Sequence, residues 1–235
     1  MMEKEAMEYL IDLGEERNDI REVNGFSYSI ERLHLVKEPK ADVIVTSSLS
    51  SLVDYINSNH SDLEKEELII HVESPTRVSL YGALDFNRER EKFMECQAIT
   101  PNNIRYNNFL NTEEFNIMLQ ASFVDNKDKS LLLKVTGCIK EDTVKEVGDD
   151  GVSQGVTIKT GVASVNTVEV PNPVILAPYR SFQEIEQVES KFIFRMQSGP
   201  RAALFEADGG MWRNEAIDKI KKYLRENIKE IRILG

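Results

Sequence analysis

Glu67–Leu84 reads ELIIHVESPTRVSLYGAL. Two runs rich in β-branched and aromatic residues, Glu67–Val72 and Thr76–Leu84, flank Glu73-Ser74-Pro75, a pattern that predicts a β-hairpin. Upstream, Ala41–Thr46 (ADVIVT) is a buried-strand run. The hydroxyls between Thr46 and Ser51 then offer N-caps, and Leu49, Leu52, Val53 and Ile56 follow at helical spacing until Asn57-Ser58-Asn59-His60 stops the helix. Strand, helix, strand, strand is the order of an α+β fold, and the rest of the chain is read outward from it.

Toward the N-terminus, residues 2–13 place Ala6, Met7, Leu10, Ile11 and Leu13 on one helical face, with Gly14 able to end the helix. Phe26–Ser29 and Leu33–Val36 read as short strands. Toward the C-terminus, Phe86–Gln97 fits either a charged helix or a strand of alternating sign. Thr112–Phe123 predicts a helix with Thr112 as its cap and Glu113 and Glu114 in an acidic first turn. Ser130–Ile139 (SLLLKVTGCI), Gly155–Thr160, Ala163–Val170, Val174–Ala177, Lys191–Met196 and Ala202–Ala207 are read as strands. The last of these ends in the glycine turn Asp208-Gly209-Gly210. Asn214–Lys229 predicts an amphipathic helix on Ile217, Ile220, Leu224 and Ile228, and Glu230–Leu234 either prolongs it or forms a last strand. The expected architecture is α+β: a mixed N-terminal lobe over 1–125, then a β-rich antiparallel lobe over 126–235 closed by a C-terminal helix, or one continuous domain.

At 235 residues and 26.8 kDa the chain is long enough to bury a core without disulfides or metals. Its formal charge of -11 is uneven: residues 1–150 carry -13 and residues 151–235 carry +2. Such a balance disfavours nucleic acid as a partner and fits a wetted surface or an acidic face for a basic protein. No apolar run is long enough to span a membrane, and Met1-Met2-Glu3-Lys4-Glu5 lacks the features of a secretory signal. Two cysteines, Cys96 and Cys138, in unlike contexts suit a reducing compartment.

Signals for catalysis are sparse. His34, His60 and His71 share no metal-ligand spacing with one another or with a cysteine. Phosphate-loop and nucleophile-elbow motifs are absent, and Gly155–Gly161 lacks dinucleotide spacing. Asp149 and Asp150 lie in a glycine-flanked loop without the alternating ligands of an EF-hand. Glu206 and Asp208, two apart at a strand end, face one side and could hold Mg²⁺; a solvated strand end is the alternative. Tyr179, Arg180, Phe192, Phe194 and Arg195 interleave aromatics with bases, as a single-strand stacking surface does. A strand with aromatics inward and cations outward explains the same pattern.

Three segments carry a resemblance: Val170–Ile185 (VPNPVILAPYRSFQEI), Ser190–Met196 (SKFIFRM) and Leu204–Trp212 (LFEADGGMW). They resemble the YfdQ-like set of phage and prophage proteins, a family without assigned chemistry. The resemblance covers about a quarter of the chain closely. It implies a phage or prophage origin, the bacterial host cytoplasm, no cofactor and no catalytic residue. In physical terms Pro171, Pro173 and Pro178 stiffen a connection and deny ladder pairing at three points. Asn172 sits between two of them. Tyr179 and Phe182 are expected to pack from that corner, with Arg180 directed to a carboxylate or carbonyl, as a joint between sheets or the rim of a subunit contact. The function expected is non-enzymatic: self-assembly and macromolecular binding in a structural, sequestering or host-inhibiting role. The expected partners are a second copy of the chain and a host or phage protein, with no membrane. A single-stranded nucleic-acid factor and a metal-dependent hydrolase or nuclease are the alternatives.

Overall fold

The computed structural model describes residues 4–16, 20–29, 34–37, 39–59, 61–137, 147–149, 154–160, 164–197 and 201–235. Two compact units divide the chain, residues 1–42 and residues 43–235. In the first, helix α1 (Lys4–Glu16) precedes a small antiparallel sheet of β1 (Ile20–Val23), β2 (Phe26–Ser29) and β3 (His34–Leu35).

The second unit opens with β4 (Ile44–Thr46) and α2 (Leu49–Ser58), then β5 (Ile69–Ser74), β6 (Arg77–Leu84) and β7 (Arg90–Gln97). Ser48 caps α2 by accepting the Ser51 N–H, and Asn59 ends it in the left-handed region at φ 47°. β5 and β6 are the hairpin read from Glu67–Leu84, turning at Pro75-Thr76, and the charged stretch before Gln97 is a strand. The chain continues through β8 (Leu110–Asn111), α3 (Thr112–Ser122), α4 (Lys127–Gly137), β9 (Val147–Asp149), β10 (Gln154–Thr160), β11 (Ser164–Val170), β12 (Val174–Leu176), β13 (Ser190–Gln197), β14 (Arg201–Glu206), α5 (Trp212–Asn227) and β15 (Arg232–Leu234). The fold is α+β.

One sheet runs β15-β5-β6-β7-β4, with β15 parallel to β5 and β4 parallel to β7. The pairs Ile70–Leu80–Met94 and Val72–Val78–Cys96 line up across three strands, so these side chains share a face. Leu49, Leu52 and Ile56 of α2 and Ile220 and Leu224 of α5 complete the core there. The opposite face stays polar. Ser79 and Tyr81 both donate to Glu73 Oε1, at 2.6 and 3.2 Å, and Lys92 meets Glu95 at 2.6 Å. Burial works against ionising Glu73, but those hydrogen bonds and the charges of Lys92 and His71 outweigh it and lower its pKa.

A second sheet, β12-β13-β14-β8, is antiparallel throughout. Phe192, Phe194 and Met196 alternate inward along β13, against Phe115, Met118 and Leu119 of α3 and Leu132 and Val135 of α4. A third sheet, β11-β10-β9, is also antiparallel. Layer membership crosses chain order: α3 serves the second sheet, whereas α5 buries its stripe against the first and β15 adds to that sheet's edge. Residue 125 falls between α3 and α4, which join one core.

The expected strand Ser130–Ile139 is instead helix α4, over its described part. Its buried positions, Lys129, Leu132, Val135 and Thr136, follow a helical period. Asn126 supplies the cap by accepting the Lys129 N–H at 2.8 Å. The Asn126 side chain also donates to the Ile175 carbonyl, and Asp128 accepts the Ile175 N–H, tying the helix start to β12. α3 likewise takes its cap one residue earlier than expected, from Asn111.

Lys129 reads as surface yet has only 5% of its side chain exposed. Its Nζ donates to the carbonyls of Phe123 at 2.6 Å and Gln120 at 3.5 Å, ending α3 with a cation from α4. The paired Asp125 is 96% exposed, so the carbonyl bonds carry most of the interaction. Lys129→Met leaves buried carbonyls unmet and is expected to lower unfolding free energy by about 1–3 kcal/mol in urea titration. Asp125→Asn should cost much less.

Candidate functional site

Where the prolines were expected to stiffen a corner, the chain passes from β11 to β12 through a cis Asn172-Pro173 bond. Pro171 and Pro173 are exposed. The Asn172 side chain behaves as a strand residue would: Oδ1 accepts the Phe194 N–H at 2.9 Å and Nδ2 donates to the Phe194 carbonyl at 3.3 Å. Beyond β12, Pro178 is buried and bridges Phe123, with Tyr179 N–H donating to the Ser122 carbonyl and Val124 N–H to the Ala177 carbonyl. The segment is thereby anchored at the end of α3.

Residues 178–190 then form a loop organised from within by one amide. Gln187 Oε1 accepts the N–H groups of Arg180 and Ser181, and its Nε2 donates to the carbonyls of Phe182 and Ile185. Ser181 Oγ donates to the Pro75 carbonyl at 2.6 Å, fastening the loop to the β5–β6 turn. Phe182, 1% exposed, and Ile185 enter the core of the first sheet. Glu184 reaches the start of α2, where Oε1 accepts from the Ser50 N–H at 3.1 Å and from its hydroxyl.

Arg180 is the centre of this region. Its guanidinium lies 3.8 Å from the Trp212 ring centroid and 5.9 Å from that of Phe192. Nη1 donates to Glu206 at 2.9 Å and Nη2 donates to Ser190 Oγ. Burial pulls its pKa below the ordinary guanidinium value, while Tyr106, Glu206 and Asp208 pull it back. Tyr106 stacks on Phe192 at 5.5 Å, and burial pushes its hydroxyl up to about 12. Arg180 Nε, Tyr106 Oη and Trp212 Nε1 are buried with no partner among the described residues, a condition that ordered water ordinarily relieves. Asp208 Oδ1 accepts the Gly210 N–H in a turn that places Gly209 and Gly210 at positive φ. Burial opposes ionisation of Asp208, but hydrogen bonds from Gly210 and Ser190 and the Arg180 charge prevail and lower its pKa.

Of the residues read from sequence, Arg180, Phe182 and Glu206 meet in this joint, and Arg180 finds the carboxylate expected of it. Tyr179 does not pack from the corner; it is 38% exposed. Of the stacking set, Phe192 and Phe194 are fully buried and Arg180 is bound on three sides, while Tyr179 is exposed and Arg195 half-buried. Glu206 is engaged by Arg180 and Asp208 by its own turn. Among the described residues no group of three His, Cys, Asp or Glu comes together as metal ligands. Asp150 lies outside the described residues, and Asp149 belongs to β9. No helix among the described residues is long and apolar enough to cross a membrane. Gln187, Ser190 and Tyr106 were not legible as members, since their partners are set by the fold; the glycine turn before Trp212 was the nearest signal. Compared with family models, curated proteins and solved structures, the chain finds no match.

Arg180→Ala is expected to destabilise by about 3 kcal/mol, because it strands Ser190 and Glu206 and opens space beside Trp212. Arg180→Lys should recover little, since an ammonium cannot fork to two acceptors while lying on a ring. Denaturant titration of both variants measures this.

Alkaline pH gives a second expectation. Folded Cys96 and Tyr106 resist ionisation up to about 12, against ordinary values of 9.0 and 10.0. Raised folded values mean stability is full below the unfolded values and is lost as pH rises from about 9 to 12. Phenolate absorbance should show a component that ionises only with unfolding, reduced in Tyr106→Phe.

Proposed function

We propose that the protein is non-enzymatic and acts by self-assembly and macromolecular binding, in the phage or prophage setting that residues 168–224 imply by resemblance. The observation that carries this reading is α1. Met7, Leu10 and Ile11 recur at the spacing of one helical face, and they are 51, 56 and 54% exposed. Tyr9 and Leu13 add 67 and 38% exposure. A helix of 13 residues is marginal alone in water, and an apolar stripe of this kind is stabilised by burial. Burial against the same stripe of a second copy satisfies both. A structural, sequestering or host-inhibiting role follows from such an assembly together with its acidic surface.

A further support is the state of the chemistry-bearing groups. Arg180, Glu206 and Asp208 spend their charges on one another and on the chain. The acidic flank of α1, with Glu5, Glu8 and Asp12, opposes association at low salt.

Light scattering on the full chain should report an oligomer whose share grows as salt screens those acids. The double substitution Leu10→Glu and Ile11→Glu should give a monomer with the thermal midpoint of residues 43–235 unchanged. A wild-type chain that stays strictly monomeric at every salt and protein concentration tested rejects the reading.

A further inference from the structure

α3 and α4 pack on one side of the second sheet, against Phe192, Phe194 and Leu204. The alternate positions point the other way. On β13 these include Lys191, Ile193 and Arg195, and on β14 Arg201 and Phe205. Lys191 and Arg201 are exposed, Ile193 is 36% exposed, and Arg195 and Phe205 are half-buried. Ile193 lies opposite Phe205, and Phe109, just before β8, meets the Phe205 ring edge-on at 6.1 Å. The four strands of this sheet hold three cations and one carboxylate. All three cations, Lys191, Arg195 and Arg201, stand on the outward side. The carboxylate, Glu206, stands on the inner side, where Arg180 takes it. The exposed Glu189 precedes β13 and lies outside the row.

Arg195 Nη1 donates to the Phe194 carbonyl at 3.1 Å, and among the described residues no carboxylate pairs with any of the three cations. Lys191 and Arg195 are four residues apart, and Arg201 stands opposite Gln197, two residues further on. The row therefore runs about 20 Å along β13. Positive charge in a line of that length, with phenyl rings beside it, complements an extended polyanion that also carries flat apolar groups. We propose that this outward face binds single-stranded nucleic acid, with phosphates on Lys191, Arg195 and Arg201 and a base on the Phe205–Phe109 pair. An acidic peptide offers the charge without the stacking groups, and a duplex keeps its bases from the rings. The formal charge of -11 is unevenly placed: residues 1–150 carry -13, while residues 151–235, which supply the three cations, carry +2. Acids farther from the face than a Debye length are screened from it.

Fluorescence anisotropy on the full chain tests this with a labelled single strand of about ten deoxythymidines. It should bind at low salt with Kd on the order of micromolar. Its log affinity should fall with log salt at a slope of about -2, as three phosphate contacts on a single strand require. A duplex of the same length should bind at least about tenfold more weakly, because its bases stack on one another. Lys191→Gln with Arg201→Gln should weaken the single strand about tenfold and bring the slope to about -0.7. Phe205→Leu, read beside its thermal midpoint, should weaken binding about tenfold and keep the slope at about -2. Leu10→Glu with Ile11→Glu should change none of this, separating the face from α1. No binding of the single strand, equal binding of the duplex, an unchanged slope in the double glutamine variant, or indifference to Phe205→Leu overturns the proposal. So does polyglutamate that displaces the strand as well as unlabelled strand does, since the face then takes acidic protein.

Discussion

A guanidinium leaves water only at a cost, and that cost shapes residues 43–235. Arg180 is held by Glu206 and Ser190 and lies between Trp212 and Phe192. The partners come from three elements: the end of β14, the start of α5 and, for Ser190 and Phe192, β13. A buried cation missing one of them is unstable, so satisfying Arg180 requires all of those elements in register at once. The loop between Pro178 and Ser190 inherits its path from this demand. Its Phe182 and Ile185 enter one core, and the strand that follows sends Phe192 and Phe194 into the other. Arg180 thus keeps two independently layered sheets in a fixed relation.

The polar network on the first sheet lies opposite the face on which α2 and α5 pack. Glu73 is held ionised by Ser79, Tyr81 and the Lys92 charge, so covering that face would mean stripping water from fixed charges. α2 and α5 take the face of Ile70, Leu80 and Met94 instead.

What the sequence disclosed depended on how local the deciding physics was. The β5–β6 hairpin, α2, α3, the inward aromatics of β13 and the stripe of α5 all follow from periodicity within about a dozen residues. α4 was misread because Leu131-Leu132-Leu133 is an unbroken apolar run, and because the buried position that completes its helical face is a lysine. Asn126 and Asp128, a cap and a first-turn acid, were the available signal. The direction of Arg180 toward a carboxylate was legible from the rigid proline corner. Its partners were not, since Tyr106 and Trp212 lie far from it in sequence and are brought there by β13 and α5. Tyr179 was expected to pack from the proline corner; its backbone, bound to Ser122, leaves the side chain exposed.

One pairing bears on how the molecule comes into being. Ile233 lies beside Ile70 in the parallel register of β15 and β5, and Ile220 and Leu224 roof the same strands. The sheet of β4 to β7 therefore has only α2 as its roof and stays open at one border until the second sheet has been made. Contacts of such long sequence separation form late and slowly. In the interval a nascent chain shows part of an apolar sheet face to its surroundings, and a translational pause before α5 prolongs that interval most.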